Sequence, residues 1–161
     1  RESYDLAAVV RDCVAGYRLA YPARSFDLAL PRRQAVIAGS PDLAAQMLDK
    51  LVSNAVDFGT PGEPVAIGLE VARGDAVLRV ADKGSRLPDG VAGKLFESMI
   101  SLRPATVAGT EPHLGLGLYV AHLVARFHGG SIRAENLPGG DGVAIVATLP
   151  LVPPLAVRAA A

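Results

Sequence analysis

The apolar residues of this chain alternate between helical and strand periods, and this order restricts the possible folds more than any other feature. Helical spacing predicts helices over residues 6–17, from Pro41 to about Phe58, and over 116–128. Each helix is followed by two segments with the period of a strand. A doubly wound parallel sheet would instead alternate single strands with helices. The order therefore predicts an α+β fold, with a mixed, mainly antiparallel sheet and helices on one face.

Local signals mark the ends of these elements. Asp5 and Ser40 each precede a helix and are predicted as N-caps, with Pro41 in the first turn of the second helix. Strands are predicted over 26–30 and 34–38 as a hairpin, over 64–72 and 76–81, and over 131–136 and 143–149. Residues 82–117 form a long segment rich in Gly, Pro, Ser and Thr, with one short helical piece near 91–96. Loops of this length are usually functional or disordered.

Composition excludes several classes of protein. With 161 residues the chain has the length of one domain of about 150 residues. Its sixteen basic and sixteen acidic side chains give no net charge, which argues against duplex nucleic acid or an anionic membrane surface as partner. Cys13 is the only cysteine, so an intramolecular disulfide and a cysteine-rich zinc site are both excluded. Because the first residue is Arg1, we expect the chain to be a fragment of a longer protein.

Three polar residues interrupt the second predicted helix on one face. Asn54 lies among apolar residues, with Lys50 one turn before it and Asp57 three residues after it. A buried amide without hydrogen-bond partners costs about 1–3 kcal/mol, so Asn54 needs either partners or solvent. From this helix alone, a solvated stripe and a binding site are both open.

Two glycine motifs follow. Asp82 ends a predicted strand two residues before Gly84, which fits either a plain turn or a carboxylate that accepts a hydrogen bond from a nucleobase. Gly115 and Gly117 open the third helix, and free N–H groups at a helix N-terminus suit phosphate. The absence of a preceding strand and of a following Lys-Ser/Thr pair excludes the Rossmann and P-loop fingerprints. The spacing of the three histidines does not fit a metal site.

The order of these motifs resembles the ATP-binding catalytic domain of sensor histidine kinases, in the GHKL ATPase superfamily. The resemblance extends from about Tyr4 to Pro150. It implies a two-layer α/β sandwich, the Bergerat fold, with a mobile ATP lid over residues 98–114. It also implies a catalytic domain over residues 1–150 and a tail over 151–161.

The resemblance also implies a role for each matching residue. Asn54, in the N box over residues 48–58, would be the catalytic amide that holds Mg²⁺ against the ATP phosphates. Asp82 would accept a hydrogen bond from the adenine amino group, and Phe58 would pack near the ring. The implied nucleotide-binding set is Asn54, Asp57, Phe58, Asp82, Gly84, Arg86, Leu87, Phe96, Arg103, Leu114, Gly115, Leu116, Gly117 and Leu118. ATP and Mg²⁺ are the implied cofactors.

Four positions depart from the family pattern. The family often has Asn at the position of Lys50 and a basic residue at the position of Asp57, so the charges at these two positions look exchanged here. Arg86 and His113 stand where the family has glycines. Lys50 also stands where the ATP-hydrolysing branches have a water-orienting Glu, so ATP hydrolysis is not expected. The segments around Lys50 and His113 are also similar to the kinases of proteobacterial dedicated sortase systems.

The function implied is that of a protein-histidine kinase. The domain would present Mg-ATP to a histidine on an upstream dimerisation and phosphoacceptor domain, and the phosphoryl group would then pass to a response regulator receiver domain. All three histidines of this chain lie after residue 110, so the acceptor is expected elsewhere. The domain is expected to be cytoplasmic, without contact to nucleic acid or membrane, in a parent of the bacterial inner membrane. The alternative is a degenerate nucleotide-binding or docking module without kinase activity.

Overall fold

Three helices pack on one face of a five-stranded sheet, and a two-stranded sheet closes one end. The computed structural model describes residues 1–93, 95–96 and 113–154, with the backbone alone described at 113–116. In chain order the elements are β1 (Glu2–Asp5), α1 (Leu6–Ala20), β2 (Phe26–Ala29), β3 (Val36–Gly39), α2 (Pro41–Phe58), β4 (Val65–Ala72), β5 (Asp75–Lys83), α3 (His113–Phe127), β6 (Ser131–Asn136) and β7 (Gly142–Pro150). Within these described ranges, no helix is long and apolar enough to cross a bilayer.

The main sheet has the strand order β2-β4-β5-β7-β6. The β2–β4 pair is parallel and the other three pairs are antiparallel, which confirms the predicted mixed, mainly antiparallel sheet. Alternate residues of the central strands face the helices and are buried, as the two-residue period of a strand requires. The core side chains of β4, β5 and β7 on this inner face are Val65, Ile67, Leu69, Ala76, Leu78, Val80, Val143, Ile145, Ala147 and Leu149.

Both predicted N-caps are confirmed. The Asp5 carboxylate accepts a hydrogen bond from the Ala7 amide at 3.0 Å and a second from the Ala35 amide at 3.0 Å, so it ties α1 to the chain before β3. The Ser40 hydroxyl accepts from the Leu43 amide at 3.2 Å. Each cap satisfies an amide that would otherwise lack an intrahelical partner.

The predicted hairpin of residues 26–30 with 34–38 is wrong. Strand β2 pairs in parallel with β4, and β3 pairs antiparallel with β1 in the separate two-stranded sheet. Strand β1 was not predicted, because its four residues Glu2–Asp5 show no apolar alternation. Two contacts hold β1 beside β3 instead. The Asp5 carboxylate accepts from the Ala35 amide, and the Leu6 amide donates to the Ala35 carbonyl at 2.9 Å.

Several element boundaries also differ from the prediction. Helix α3 begins at His113 rather than at residue 116, and α1 continues to Ala20. The described residues of the predicted helical piece, 91–93 and 95–96, lie in turns. The predicted lid lies outside the described residues, except for His113 and Leu114, which begin α3. Backbone pairing extends past β7, since the Val152 amide donates to the Val36 carbonyl at 2.8 Å.

A buried histidine joins the two-stranded sheet to α3. His128 is 3% exposed, and its Nε2 accepts from the Ser40 amide at 3.2 Å and lies 2.9 Å from the Tyr4 hydroxyl. Its Nδ1 lies 2.9 Å from the Val124 carbonyl, so Nδ1 carries the proton. A Cβ added at Gly39 would overlap the imidazole ring, so Gly39 leaves the space that the ring fills.

A second anchor joins α1 to α2. The Tyr17 hydroxyl donates to the Asp49 carboxylate at 2.5 Å. Burial, and then this hydrogen bond, raise the pKa of Tyr17 above the usual range for a phenol. Burial likewise raises the pKa of Tyr4.

We expect Gly39→Ala to lower the free energy of unfolding by about 2 kcal/mol or more, because the new methyl overpacks against His128. The matched control is Gly68→Ala in β4, where a Cβ would meet nothing within 4 Å and little change is expected. Urea unfolding of both variants measures the difference. Equal losses in the two variants would contradict the packing role of Gly39.

We also expect the free energy of unfolding to fall as the pH rises above about 10. Unfolded tyrosines lose their protons near that pH, whereas the raised pKa values of Tyr4 and Tyr17 keep both phenols protonated in the folded state. Tyr17→Phe removes one of these protons and should flatten the pH dependence, at a cost of about 1 kcal/mol at neutral pH. Urea unfolding across this pH range measures both effects, and an unchanged slope in Tyr17→Phe would refute the expectation.

Candidate functional site

The end of α2 meets the end of β5, and this junction brings several of the predicted site residues together. Gly59 and Gly84 form an isolated antiparallel bridge. The Thr60 amide donates to the Lys83 carbonyl at 2.7 Å. Phe58, the last residue of α2, and Asp82, near the end of β5, therefore lie on either side of one backbone contact.

Glycine is required on both sides of that contact. A Cβ at Gly84 would lie 2.9 Å from the Phe58 carbonyl oxygen, and a Cβ at Gly59 would lie 2.6 Å from the Ala55 carbonyl oxygen and 3.1 Å from the Asp82 Cβ. Real side chains do not approach so closely without displacing the backbone. The sequence predicted Gly84 as a binding residue and placed the end of α2 at about Phe58, but it assigned no role to Gly59.

Asp82 is a buried carboxylate near the end of β5. It is 8% exposed and, with His128, is one of two buried polar side chains in the described part of the chain. It continues the inner face of β5 after Leu78 and Val80, so it lies at the end of the core, beneath the helices. A buried carboxylate requires compensating polar contacts, and a ligand N–H group can supply one of them.

Asn54 lies on α2 one turn before its end. Its side chain is half-buried, and Lys50 precedes it by one turn. The Lys50 Cδ lies 3.6 Å from the position that a Cβ on Gly117 would occupy. The exposed Lys50 side chain thus runs beside the first turns of α3.

The glycines of the second motif lie inside α3 rather than before it. Gly115 and Gly117 are the third and fifth residues of a helix that begins at His113. In a regular helix the first four amides lack intrahelical acceptors. The amides without an acceptor inside this helix are therefore those of residues 113–116, which include Leu114, Gly115 and Leu116.

The other predicted residues are distributed between core and surface. Phe96 and Leu118 are buried in the core, and Leu87 packs against it. Asp57 is exposed. Arg86 is exposed and pairs with Asp89 at 3.2 Å. Arg103 lies outside the described residues.

Arg24 is a cation that sequence reasoning missed. Its guanidinium donates to the Val56 carbonyl at 2.9 Å, which satisfies one of the free carbonyls at the end of α2. Positive charge at a helix C-terminus is also favourable electrostatically. The same guanidinium lies 3.2 Å from the position of a Cβ on Gly59, so Arg24 packs against the α2–β5 junction. No motif marked Arg24, because it lies in a loop 32 residues from its partner.

Asn136 was also missed, although it ends a predicted strand. Its side-chain oxygen accepts a hydrogen bond from the Leu87 amide at 2.7 Å, and its side-chain nitrogen donates to the Leu87 carbonyl at 3.3 Å. The segment after Gly84 is thereby tied to β6. Only the tertiary structure relates these residues, which are 49 positions apart in the chain.

The sequence matches a known family and known proteins. Residues 39–153 match the family described as histidine kinase-, DNA gyrase B-, and HSP90-like ATPase. The sensor protein CutS of Streptomyces coelicolor is 33% identical over 152 residues, which cover 94% of this chain and 36% of CutS. This chain therefore corresponds to about a third of that relative.

Solved structures share the fold. The mycobacterial sensor histidine kinase MprB superposes with a TM-score of 0.77 at 23% identity, over 94% of this chain and 98% of that one. The ATP binding domain of PrrB from Mycobacterium tuberculosis superposes with a TM-score of 0.72 at 25% identity, over 94% and 98%. The predicted two-layer α/β sandwich is therefore confirmed.

Proposed function

Since this chain belongs to the histidine kinase-, DNA gyrase B-, and HSP90-like ATPase family and has its ATP-binding domain, we propose that it is the catalytic part of a bacterial two-component sensor kinase. The sensor proteins among its relatives support this function. The observation that carries the proposal is the α2–β5 junction, where the buried Asp82 lies at the end of the core beside the close contact of Gly59 with Gly84.

The adenine end of the proposed site lies at this junction. The Asp82 carboxylate would accept a hydrogen bond from the adenine amino group. Phe58, half-buried at the end of α2, would pack near the ring. Gly84 has no side chain, so the backbone after Asp82 can lie against the Phe58 carbonyl. A hydrogen bond to a charged group contributes about 1.5–3 kcal/mol, enough to select adenine.

The phosphate end lies between α2 and the beginning of α3. The Asn54 side chain offers one neutral amide oxygen, which fits Mg²⁺ because this ion keeps several waters and takes further oxygen ligands from phosphates. When bound, Mg²⁺ would neutralise phosphate charge. The amides of residues 113–116 would donate to the phosphates, and Lys50 would add a positive charge on the same side of α2.

This arrangement suits phosphoryl transfer to another domain. The residues of this chain would hold and orient the nucleotide, so catalysis here is mainly positioning and charge neutralisation. Lys50 stands where a water-orienting Glu would be needed for hydrolysis. His128 is buried and hydrogen bonded, which makes it unsuitable as an acceptor. The acceptor histidine is proposed on an upstream dimerisation domain, with onward transfer to a response regulator.

No observation favours the alternative of a module that has lost kinase activity. Arg86 and His113 replace family glycines, but Arg86 is exposed and pairs with Asp89. Its Cδ lies 3.8 Å from the position of a Cβ on Gly140, over the turn between β6 and β7. We propose that the domain acts in the cytoplasm as part of an inner-membrane protein.

Asp82→Asn should weaken ATP binding about 10- to 100-fold while the fold stays intact, because the amide is a weaker acceptor for the adenine amino group. Asp75→Asn, at the other end of the same strand, is the matched control and should bind as the unsubstituted chain does. Titration calorimetry gives the dissociation constants, and thermal unfolding checks the fold. An unchanged dissociation constant in Asp82→Asn would refute the adenine contact.

The isolated chain should bind ATP but neither phosphorylate itself nor release phosphate appreciably. All three of its histidines lie after residue 110, so the acceptor is proposed on another domain, and without an orienting base water forgoes a rate gain of about 10²–10⁴-fold. Adding the histidine-bearing domain of the parent protein should start phosphotransfer. Asn54→Ala should abolish it by loosening Mg²⁺. Incubation with radiolabelled ATP, followed by detection of acid-labile phosphoprotein, measures each step.

Ser53→Ala is the control for that assay, because Ser53 is the preceding half-buried residue on α2 and has no proposed role. It should retain phosphotransfer. An acid-labile phosphate on the isolated chain, or rapid release of inorganic phosphate from ATP, would contradict the proposal that the acceptor histidine lies on another domain and that this chain does not hydrolyse ATP.

A further inference from the structure

The chain leaves the main sheet directly after β5, and the side chain of Asn136 then binds its backbone at Leu87. The Gly84 amide donates to the Asp141 carbonyl at 2.9 Å, and three residues later Asn136 holds both backbone polar groups of Leu87. Asn136 is the last residue of β6, the edge strand, so the segment passes from β5 across β7 to β6.

The chemistry of this contact requires an amide at position 136. Leu87 precedes Pro88, which restricts Leu87 to an extended conformation. An extended residue presents its N–H and C=O groups on the same side, as in a hydrogen-bonded antiparallel pair. A side chain that both accepts and donates can satisfy the two groups together. The Asn136 amide does so, whereas a carboxylate could only accept.

The strand register places this contact opposite Asp82. Asp82 pairs with Val143, and Val143 pairs with Asn136. Directly opposed residues point to the same face of a sheet, so all three side chains lie on the inner face. Neighbouring strands are about 4.8 Å apart, so Asp82 and Asn136 are separated by about 10 Å, with Val143 between them.

We propose that Asn136 is a positioning residue that fixes Leu87 as the far wall of the base pocket. Asp82 is the near wall, and Val143, which is 9% exposed, is the floor. The Asn136 side chain holds the Leu87 backbone at the far end of the row that begins with Asp82, two strands away. This inference rests on the proposed function, because it deepens the assignment of the adenine end of that site.

The consequence is that Asn136 controls base selectivity without contacting the phosphates. Without these two hydrogen bonds, Leu87 would be free to move away from the end of β6. The shape of the pocket around the base would then be lost, while Asn54 and the beginning of α3 would be unaffected. Binding of ATP would weaken more than binding of GTP, because guanine lacks the adenine amino group that donates the proposed hydrogen bond to Asp82.

The test compares dissociation constants for ATP and GTP, measured by titration calorimetry on the whole chain with Mg²⁺ present. Asn136→Ala should raise the ATP dissociation constant about tenfold and lower the preference for ATP over GTP by a similar factor. Asn136→Asp keeps the acceptor for the Leu87 amide but loses the donor, so its preference should be intermediate. Glu135→Gln, the preceding residue with its side chain on the outer face, is the matched control and should keep the full preference.

A preference for ATP that is unchanged in both Asn136 variants would overturn the inference, whether or not their stability falls. A general loss of stability would weaken the binding of ATP and of GTP by the same factor, so the ratio of their dissociation constants would not change. If Asn136→Ala does not fold, Asn136→Asp carries the test, because it is nearly isosteric. Failure of the unsubstituted chain to bind ATP would instead refute the proposed function, and that measurement is made first.

Discussion

The candidate site depends on the backbone contact between Gly59 and Gly84. It joins the last turn of α2 to the end of β5, and a Cβ on either residue would collide with main-chain atoms of α2. Because α2 carries Asn54 and β5 carries Asp82, the contact fixes the proposed phosphate and adenine ends relative to each other. One steric constraint therefore sets the relative position of the two proposed ends of the site.

Polar groups around this contact are held by side chains from distant parts of the chain. Arg24 satisfies the Val56 carbonyl at the end of α2, and Asn136 satisfies both backbone groups of Leu87. Backbone groups at the ends of helices and strands lack partners within their own element, and these two side chains supply the missing hydrogen bonds. The site therefore forms where a helix, a strand and an edge strand all terminate, and long-range side-chain bonds compensate for the missing backbone pairing.

Local chemistry was predicted well. Asp5, Ser40 and Pro41 act within a few residues of themselves, so their roles as caps and first-turn residues follow from sequence. The apolar periods likewise predicted the buried faces of α1 and α2. The strands near residues 26–38 were located correctly but paired wrongly, because period alone does not select a partner strand. Arg24 and Asn136 carried no motif, since their partners lie 32 and 49 residues away.

The sequence by itself located the three helices, every described strand except β1, and the residue types available for binding, because periodicity and capping are local properties. The order of its motifs also indicated the family. The tertiary structure alone decided that β2 joins β4, that β3 joins β1, and that Asp82, Val143 and Asn136 lie in one row across the inner face. The physical reason is that strand pairing and the burial of polar groups depend on segments far apart in the chain, which come together only when the whole core packs.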